Sequence, residues 1–263
     1  MMLDSNRSRE SHADRVWVIA HRGASRDHPE NTHAAFEAAI AQGCDAIELD
    51  LQLSRDGVPV VYHDRTLTRA GGGRRRVAEL DLADLRRLDA ASRGAARRRG
   101  ESIPTLADVL DRYSGRATLL LEIKTREGRG GDERHLQLAR TVADQVRSSG
   151  CERQTLLLCF DGDLLDAAAQ AAPRLRRVLN IKPPPRLPGT LRRKLDTLWA
   201  VSADVRTLTP QFAAALRRCG CRLLVFTCNT PRTLRAALTA GPVGVMSDRP
   251  DWLRERLAAV EHG

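Results

Sequence analysis

Short runs of β-branched residues and leucine alternate along the chain with longer stretches in which apolar positions recur every three or four residues. The short runs are Val16–Ala20, Ala46–Leu51, Thr118–Ile123, Thr155–Cys159, Arg177–Ile181, Leu198–Val201, Leu223–Thr227 and Val243–Met246. Each is the length of a strand. The amphipathic stretches Thr32–Gln42, Leu106–Tyr113, Glu133–Ser148, Gly162–Ala172, Thr190–Leu195, Pro210–Arg218, Arg232–Ala240 and Trp252–Val260 predict helices between and after them. Strand followed by helix is the pattern of a parallel sheet, and eight such units predict an α/β fold, the closed (β/α)8 or TIM barrel.

One strand-like run, Val58–Tyr62, falls outside this alternation. Asp56-Gly57 just before it is a hairpin signal, so the chain after Leu53 is expected to fold back antiparallel. A two-residue loop would pair Arg55 with Val58 and, further along, set Asp50 opposite His63. The stretch 52–103, with Gly71-Gly72-Gly73 and two arginine triplets, is accordingly read as a small cap-like insertion after the second strand. Residues 1–15 are a polar tail, and 16–263 form the barrel domain.

Composition narrows the function classes. No apolar run approaches the roughly 20 residues of a membrane helix, and Met1–Arg15 has no apolar core of an export signal, so no transmembrane segment and a cytoplasmic location are expected. The six cysteines, Cys219-Gly220-Cys221 among them, lack the spacing of zinc or thioredoxin-like motifs and are read as reduced thiols. The chain carries a net charge of +10 with 40 arginines and three lysines. Its arginine clusters are scattered and only 3% of residues are aromatic, so no specific nucleic-acid partner is expected. Gly71–Arg76 is not followed by the lysine and hydroxyl residue of a phosphate-binding P-loop.

Chemistry concentrates at the ends of three strands. Glu48 and Asp50 alternate onto one face of the second strand, about 6.6 Å apart by Cα from two rises of about 3.3 Å. Glu122 and Lys124 repeat that spacing at the end of the third barrel strand. His21 and Arg22 stand at the end of the first, before Gly23. Charged residues at the C-terminal ends of barrel strands point into the active-site mouth. Three carboxylates without a cysteine or histidine cage suit a hard cation, Mg2+ or Ca2+. An arginine, a lysine and the imidazoles of His21 and His63 complete a set suited to neutralising a phosphodiester and moving protons around it.

At this point the chain resembles the glycerophosphodiester phosphodiesterases. The resemblance is carried by Ala20-His21-Arg22-Gly23-Ala24, Pro29-Glu30-Asn31-Thr32, Ala46-Ile47-Glu48-Leu49-Asp50, Asp56-Gly57-Val58-Pro59-Val60-Val61-Tyr62-His63-Asp64, Leu67-Thr68-Arg69, Ile103-Pro104-Thr105-Leu106, Leu121-Glu122-Ile123-Lys124 and Ser247-Asp248-Arg249-Pro250. It implies a TIM barrel with an insertion after the second strand, and metal-dependent release of an alcohol and sn-glycerol 3-phosphate from a small glycerophosphodiester. It further implies one divalent cation on Glu48, Asp50 and Glu122, His21 and His63 as the acid–base pair, and Arg22 and Lys124 on the phosphate. Phe226, where the family often has tryptophan, and Cys159 before Phe160, where it often has serine, depart from the family pattern and bear on the substrate pocket, as does the irregular segment Asn180–Leu191.

Two alternatives stand beside this reading: a lysophospholipase D acting on acylated diesters, and a non-catalytic phosphate-ester-binding protein. Among the other residues, Asn31 or Thr32 is expected to cap the first helix, and Asp64 to orient His63 or cap a turn. His12, His135 and His262 are expected to face solvent, and His28 and His33 to lie near the rim. Oligomeric state is not legible.

Overall fold

The computed structural model describes residues 15–90, 100–125, 133–182 and 187–261. The polar tail up to residue 14, with His12, lies outside them, as do Arg97–Arg99, Pro183–Pro185 and His262. The strands are β1 (Trp17–His21), β2 (Ala46–Leu53), β3 (Pro59–Val61), β4 (Thr118–Ile123), β5 (Thr155–Cys159), β6 (Arg176–Ile181), β7 (Ala200–Asp204), β8 (Arg222–Phe226) and β9 (Gly244–Ser247). The helices are α1 (His33–Ala41), α2 (Leu82–Leu85), α3 (Leu106–Tyr113), α4 (Glu133–Ser148), α5 (Gly162–Ala171), α6 (Gly189–Lys194), α7 (Pro210–Arg218), α8 (Pro231–Thr239) and α9 (Pro250–Glu261).

All strands but β3 are parallel, in the order β1-β9-β8-β7-β6-β5-β4-β2, and β2 pairs with β1 to close the ring. The fold is a TIM barrel. Among the described residues, no helix is long and apolar enough to cross a membrane.

Alternation along each strand divides the side chains between two cores. Outward-facing residues such as Leu49, Leu121 and Leu157 pack with Phe36, Leu106, Val142 and Leu165 of the helices. Inward-facing residues fill the barrel with Ile19, Ala46, Leu120, Leu156, Leu158, Val178, Ala200, Leu224 and Met246. Two residues further along six of these inward columns the apolar character gives way: Ile19 is followed by His21, Ala46 by Glu48 and then Asp50, Leu120 by Glu122, Val178 by Asn180, Ala200 by Ser202 and Met246 by Asp248. The apolar plug at the N-terminal end thus forms the floor under a polar cup that opens at the C-terminal end.

The hairpin register differs from the expected one. Leu51 pairs with Val61, Gln52 with Val60 and Leu53 with Pro59, and the Tyr62 N–H donates to the Asp50 carbonyl, so Asp50 faces Tyr62 and not His63. The loop is one residue longer than expected. Gly57 takes a left-handed φ of +80°, which closes a three-residue turn between Ser54 and Val58. His63 is held instead by Gln52, whose Nε2 donates to the carbonyls of Tyr62 (2.8 Å) and Asp64 (3.0 Å). Between β2 and α3 the chain builds its own apolar cluster around Val60, Tyr62, Leu67, Val77, Leu85 and Ile103.

Helix ends follow local chemistry. Thr32, not Asn31, caps α1 by accepting from the Ala35 N–H, and Thr105 with Asp108 forms a capping box on α3. Glu37 of α1 binds Arg112 in the last turn of α3 and Arg116 just beyond it. The Arg116 hydrogen bond, against a burial cost and with help from Arg112, pulls its carboxyl down to about 2. A depressed pKa contributes stability above the ordinary value of 4.5 that is lost as pH falls toward about 2. Glu37→Gln is therefore expected to lower Tm by no more than a few degrees near neutrality, with the difference from wild type closing through that acid window in thermal melts.

Candidate active site

The seven residues expected in the site all lie at the polar end of the barrel. Parallel register sets His21 beside Glu48 and Asp50 beside Glu122 on neighbouring strands. Carboxylate oxygens of Glu48, Asp50 and Glu122 come within 4.8 Å of one another, with Glu48 and Asp50 only 1% exposed.

Such crowding demands compensation. Burial, then the neighbouring Asp50 and Glu122, push Glu48 well above the usual carboxylate range. Asp50 moves the other way: burial would raise it, but Arg22 and Lys124 outweigh burial and hold it far below. Lys124 Nζ donates to Glu122 Oε1 at 2.8 Å and lies 3.4 Å from Asp50 Oδ1. Arg22 Nε lies 3.0 Å from Asp50 Oδ2 as an ion pair without the alignment of a hydrogen bond. Burial opposes the charge of Arg22 and Lys124, yet the surrounding carboxylates raise both above their ordinary values.

Backbone strain places the arginine. Arg22 adopts φ +59°, and Gly23 follows at φ +82°, where an added Cβ would lie 2.6 Å from the backbone of Ala35. This turn lets the Arg22 N–H donate to both the carbonyl (2.9 Å) and the Oε2 (3.1 Å) of Glu48. Asn31, at φ +60°, uses its amide to donate to Asp50 Oδ2 at 2.8 Å and accept from the Asp50 N–H. Non-glycine residues in this region are uncommon, and strain of this kind clusters at functional sites.

Among the described residues, the buried Glu48 Oε1 has no hydrogen-bond partner. An orphaned carboxylate oxygen beside two further carboxylates is the donor set of a hard divalent cation, and the residues fit one. A second acidic group, Glu30, His63 and Asp64, is equally close-set but is engaged by Arg22 and Arg69.

Each imidazole is backed by an aspartate on Nδ1. His21 Nδ1 is 2.6 Å from Asp248 Oδ1, and Asn229 donates to Asp248 Oδ2 at 2.6 Å while accepting from the Ser247 hydroxyl and the Asp248 N–H. His21 Nε2 lies 3.9 Å from Glu48 Oε2, so the ring spans from the barrel end to the carboxylates. His63 Nδ1 is 3.0 Å from Asp64 Oδ1, and Arg69 Nε donates to Asp64 Oδ2 at 2.9 Å. Nδ1 occupied in this way leaves Nε2 of each ring for a reactant.

Sequence reasoning did not assign Asn180, Asn229 or Asp248 to the site. Asn180 Nδ2 donates to Glu122 Oε2 at 3.1 Å, and the inward alternation of β6 from Val178 to Asn180 was the available signal. His33, expected near the rim, is the first residue of α1 and is bonded to the Tyr113 hydroxyl at 2.9 Å, and His135 is half-buried instead of solvent-facing. Cys159 packs between barrel and helices with its Sγ toward the Ile123 carbonyl, whereas Phe160 is 42% exposed and meets Phe226 edge-on at 6.3 Å.

The glycerophosphoryl diester phosphodiesterase family model matches residues 21–252. The chain is 30% identical over 250 residues to a Bacillus subtilis glycerophosphodiester phosphodiesterase, covering 90% of this chain and 85% of that protein. It is similar to a solved structure from Silicibacter pomeroyi with a TM-score of 0.84, 28% identity and 94% of each chain covered. It is also similar to an Oleispira antarctica phosphodiesterase in complex with the product sn-glycerol-3-phosphate, with a TM-score of 0.74, 26% identity, and 91% of this chain and 96% of that chain covered. With a match that runs from His21 to Trp252 and so spans every carboxylate and imidazole described above, the chain belongs to the glycerophosphoryl diester phosphodiesterase family.

Proposed function

We propose that this protein hydrolyses small glycerophosphodiesters to sn-glycerol 3-phosphate and an alcohol, using a divalent cation and the imidazoles of His21 and His63. The observation that carries the reading is the convergence of three carboxylates, two aspartate-backed imidazoles and two cations in one barrel mouth. The product-bound Oleispira antarctica relative supports the substrate class.

Glu48, Asp50 and Glu122 would hold the cation, Mg2+ or Ca2+, which supplies Lewis-acid polarisation of a phosphoryl oxygen when bound. Arg22 and Lys124 add positive charge for the remaining phosphoryl oxygens. The attacking oxygen belongs to water or to the free glycerol hydroxyl next to the phosphate; attack by that hydroxyl gives a cyclic ester that water then opens. One imidazole takes the proton of the attacking oxygen at Nε2. As the P–O bond to the departing alcohol breaks, the other imidazole gives that oxygen a proton from its own Nε2. Asp248 and Asp64 hold the two rings through Nδ1 in the orientation this exchange requires.

We assign the segment between β2 and α3, read from sequence as 52–103, to capping the mouth, because it delivers His63, Asp64 and Arg69. Among its described residues, Val60, Tyr62, Leu67, Val77, Leu85 and Ile103 turn into a cluster of their own, an arrangement suited to a small deacylated substrate. The assay is release of glycerol 3-phosphate from glycerophosphocholine, glycerophosphoethanolamine and glycerophosphoglycerol, with lysophosphatidylcholine as the acylated control, each with Mg2+, Ca2+ or chelator. Turnover of the deacylated diesters that stops on chelation is expected. Turnover of the acylated control alone would make the protein a lysophospholipase D, and no turnover at all would favour the binding-protein reading. His21→Ala and His63→Ala are each expected to cut kcat on the order of a hundredfold or more. Wild-type rates in either would remove that ring from proton transfer.

A further inference from the structure

Arg22 and His63 arrive in the mouth from different parts of the chain, Arg22 from the end of β1 and His63 from the excursion after β3. One carboxylate oxygen joins them. Glu30 Oε1 accepts from Arg22 Nη1 at 3.1 Å and lies 2.6 Å from Arg69 Nη2. Arg69 Nε donates to Asp64 Oδ2 at 2.9 Å, and Asp64 Oδ1 meets His63 Nδ1. The Arg69 guanidinium also rests over the ring of Tyr62, 5.6 Å from its centroid, and Tyr62 is buried in the cluster of the excursion. A planar guanidinium can serve two carboxylates from two of its nitrogens at once, which an ammonium cannot do in the same geometry.

We propose that Glu30 and Arg69 are positioning residues that form a clamp between the β1–α1 loop and the excursion, fixing His63 and Arg22 relative to each other. The proposal rests on the reading of His63 as a proton-transfer group and Arg22 as a phosphate ligand. The two variants should differ in kind. Arg69 holds only the His63 arm, because Arg22 keeps its bond to Glu30 without it, whereas Glu30 holds both arms.

Arg69→Met is expected to lower kcat on the order of tenfold with KM within about twofold of wild type, since loss of register at a reacting group falls on the rate. Glu30→Gln is expected to lower kcat and raise KM together. Arg69→Lys should not restore the rate, because the fork and not the charge is required. In a His63→Ala background Arg69→Met should cost nothing further. The His63 ring, observed by 15N NMR without turnover, should show its Nδ1 hydrogen bond in wild type and lose it in Arg69→Met. Wild-type kinetics in Arg69→Met, an equal loss in the His63→Ala background, or an unchanged ring signal would each overturn the clamp. An inert wild type would strike the assigned activity instead, and the ring signal would still decide the clamp.

Discussion

Three carboxylates at the ends of two adjacent strands, two of them almost wholly removed from water, are the constraint around which the rest of the mouth is arranged. Buried like charges at this spacing cannot all ionise without compensation, and the opposite shifts of Glu48 and Asp50 express that conflict. Arg22 and Lys124 relieve part of it. A divalent cation held by Glu48, Asp50 and Glu122 would relieve the remainder, turning a destabilising cluster into a binding site.

The cost of building this cup is carried by the surrounding scaffold. The left-handed Arg22 and Asn31 bend two short segments so that their donors reach Glu48 and Asp50. Asn180 restrains Glu122 from β6. The two imidazoles are then held from opposite sides, one by Asp248 at the end of the last barrel strand and the other by Asp64 in the excursion after β3. Proton donor and proton acceptor in the proposed reaction are thus supported by separate pieces of chain, which is why the contacts joining those pieces bear on catalysis and not only on stability.

Much of this was legible in the sequence because a barrel strand is a column with a period of two. Glu48, Asp50 and Glu122 could be placed on inward faces from their strands alone, and the helices from their apolar stripes. The hairpin register was not legible, since whether Asp56-Gly57 closes a two- or three-residue loop depends on which residue takes the left-handed conformation, and Gly57 takes it. The pairing of His21 with Asp248, and of Glu30 with Arg69, joins residues far apart in the chain. No local pattern encodes such contacts; they appear only once the ring has closed and the excursion has folded back.

The most direct test of the central claim is the shift in Tm that Mg2+ produces in wild type and in Glu48→Gln, each measured against chelator. A ligand that binds only the folded state raises Tm with its concentration. The account predicts a Mg2+-dependent rise in wild type that is absent in Glu48→Gln, while the variant in chelator melts at or above wild type because a buried like-charge repulsion has been removed. A variant that keeps the full Mg2+-dependent rise, or a wild type that shows none with either Mg2+ or Ca2+, would contradict it.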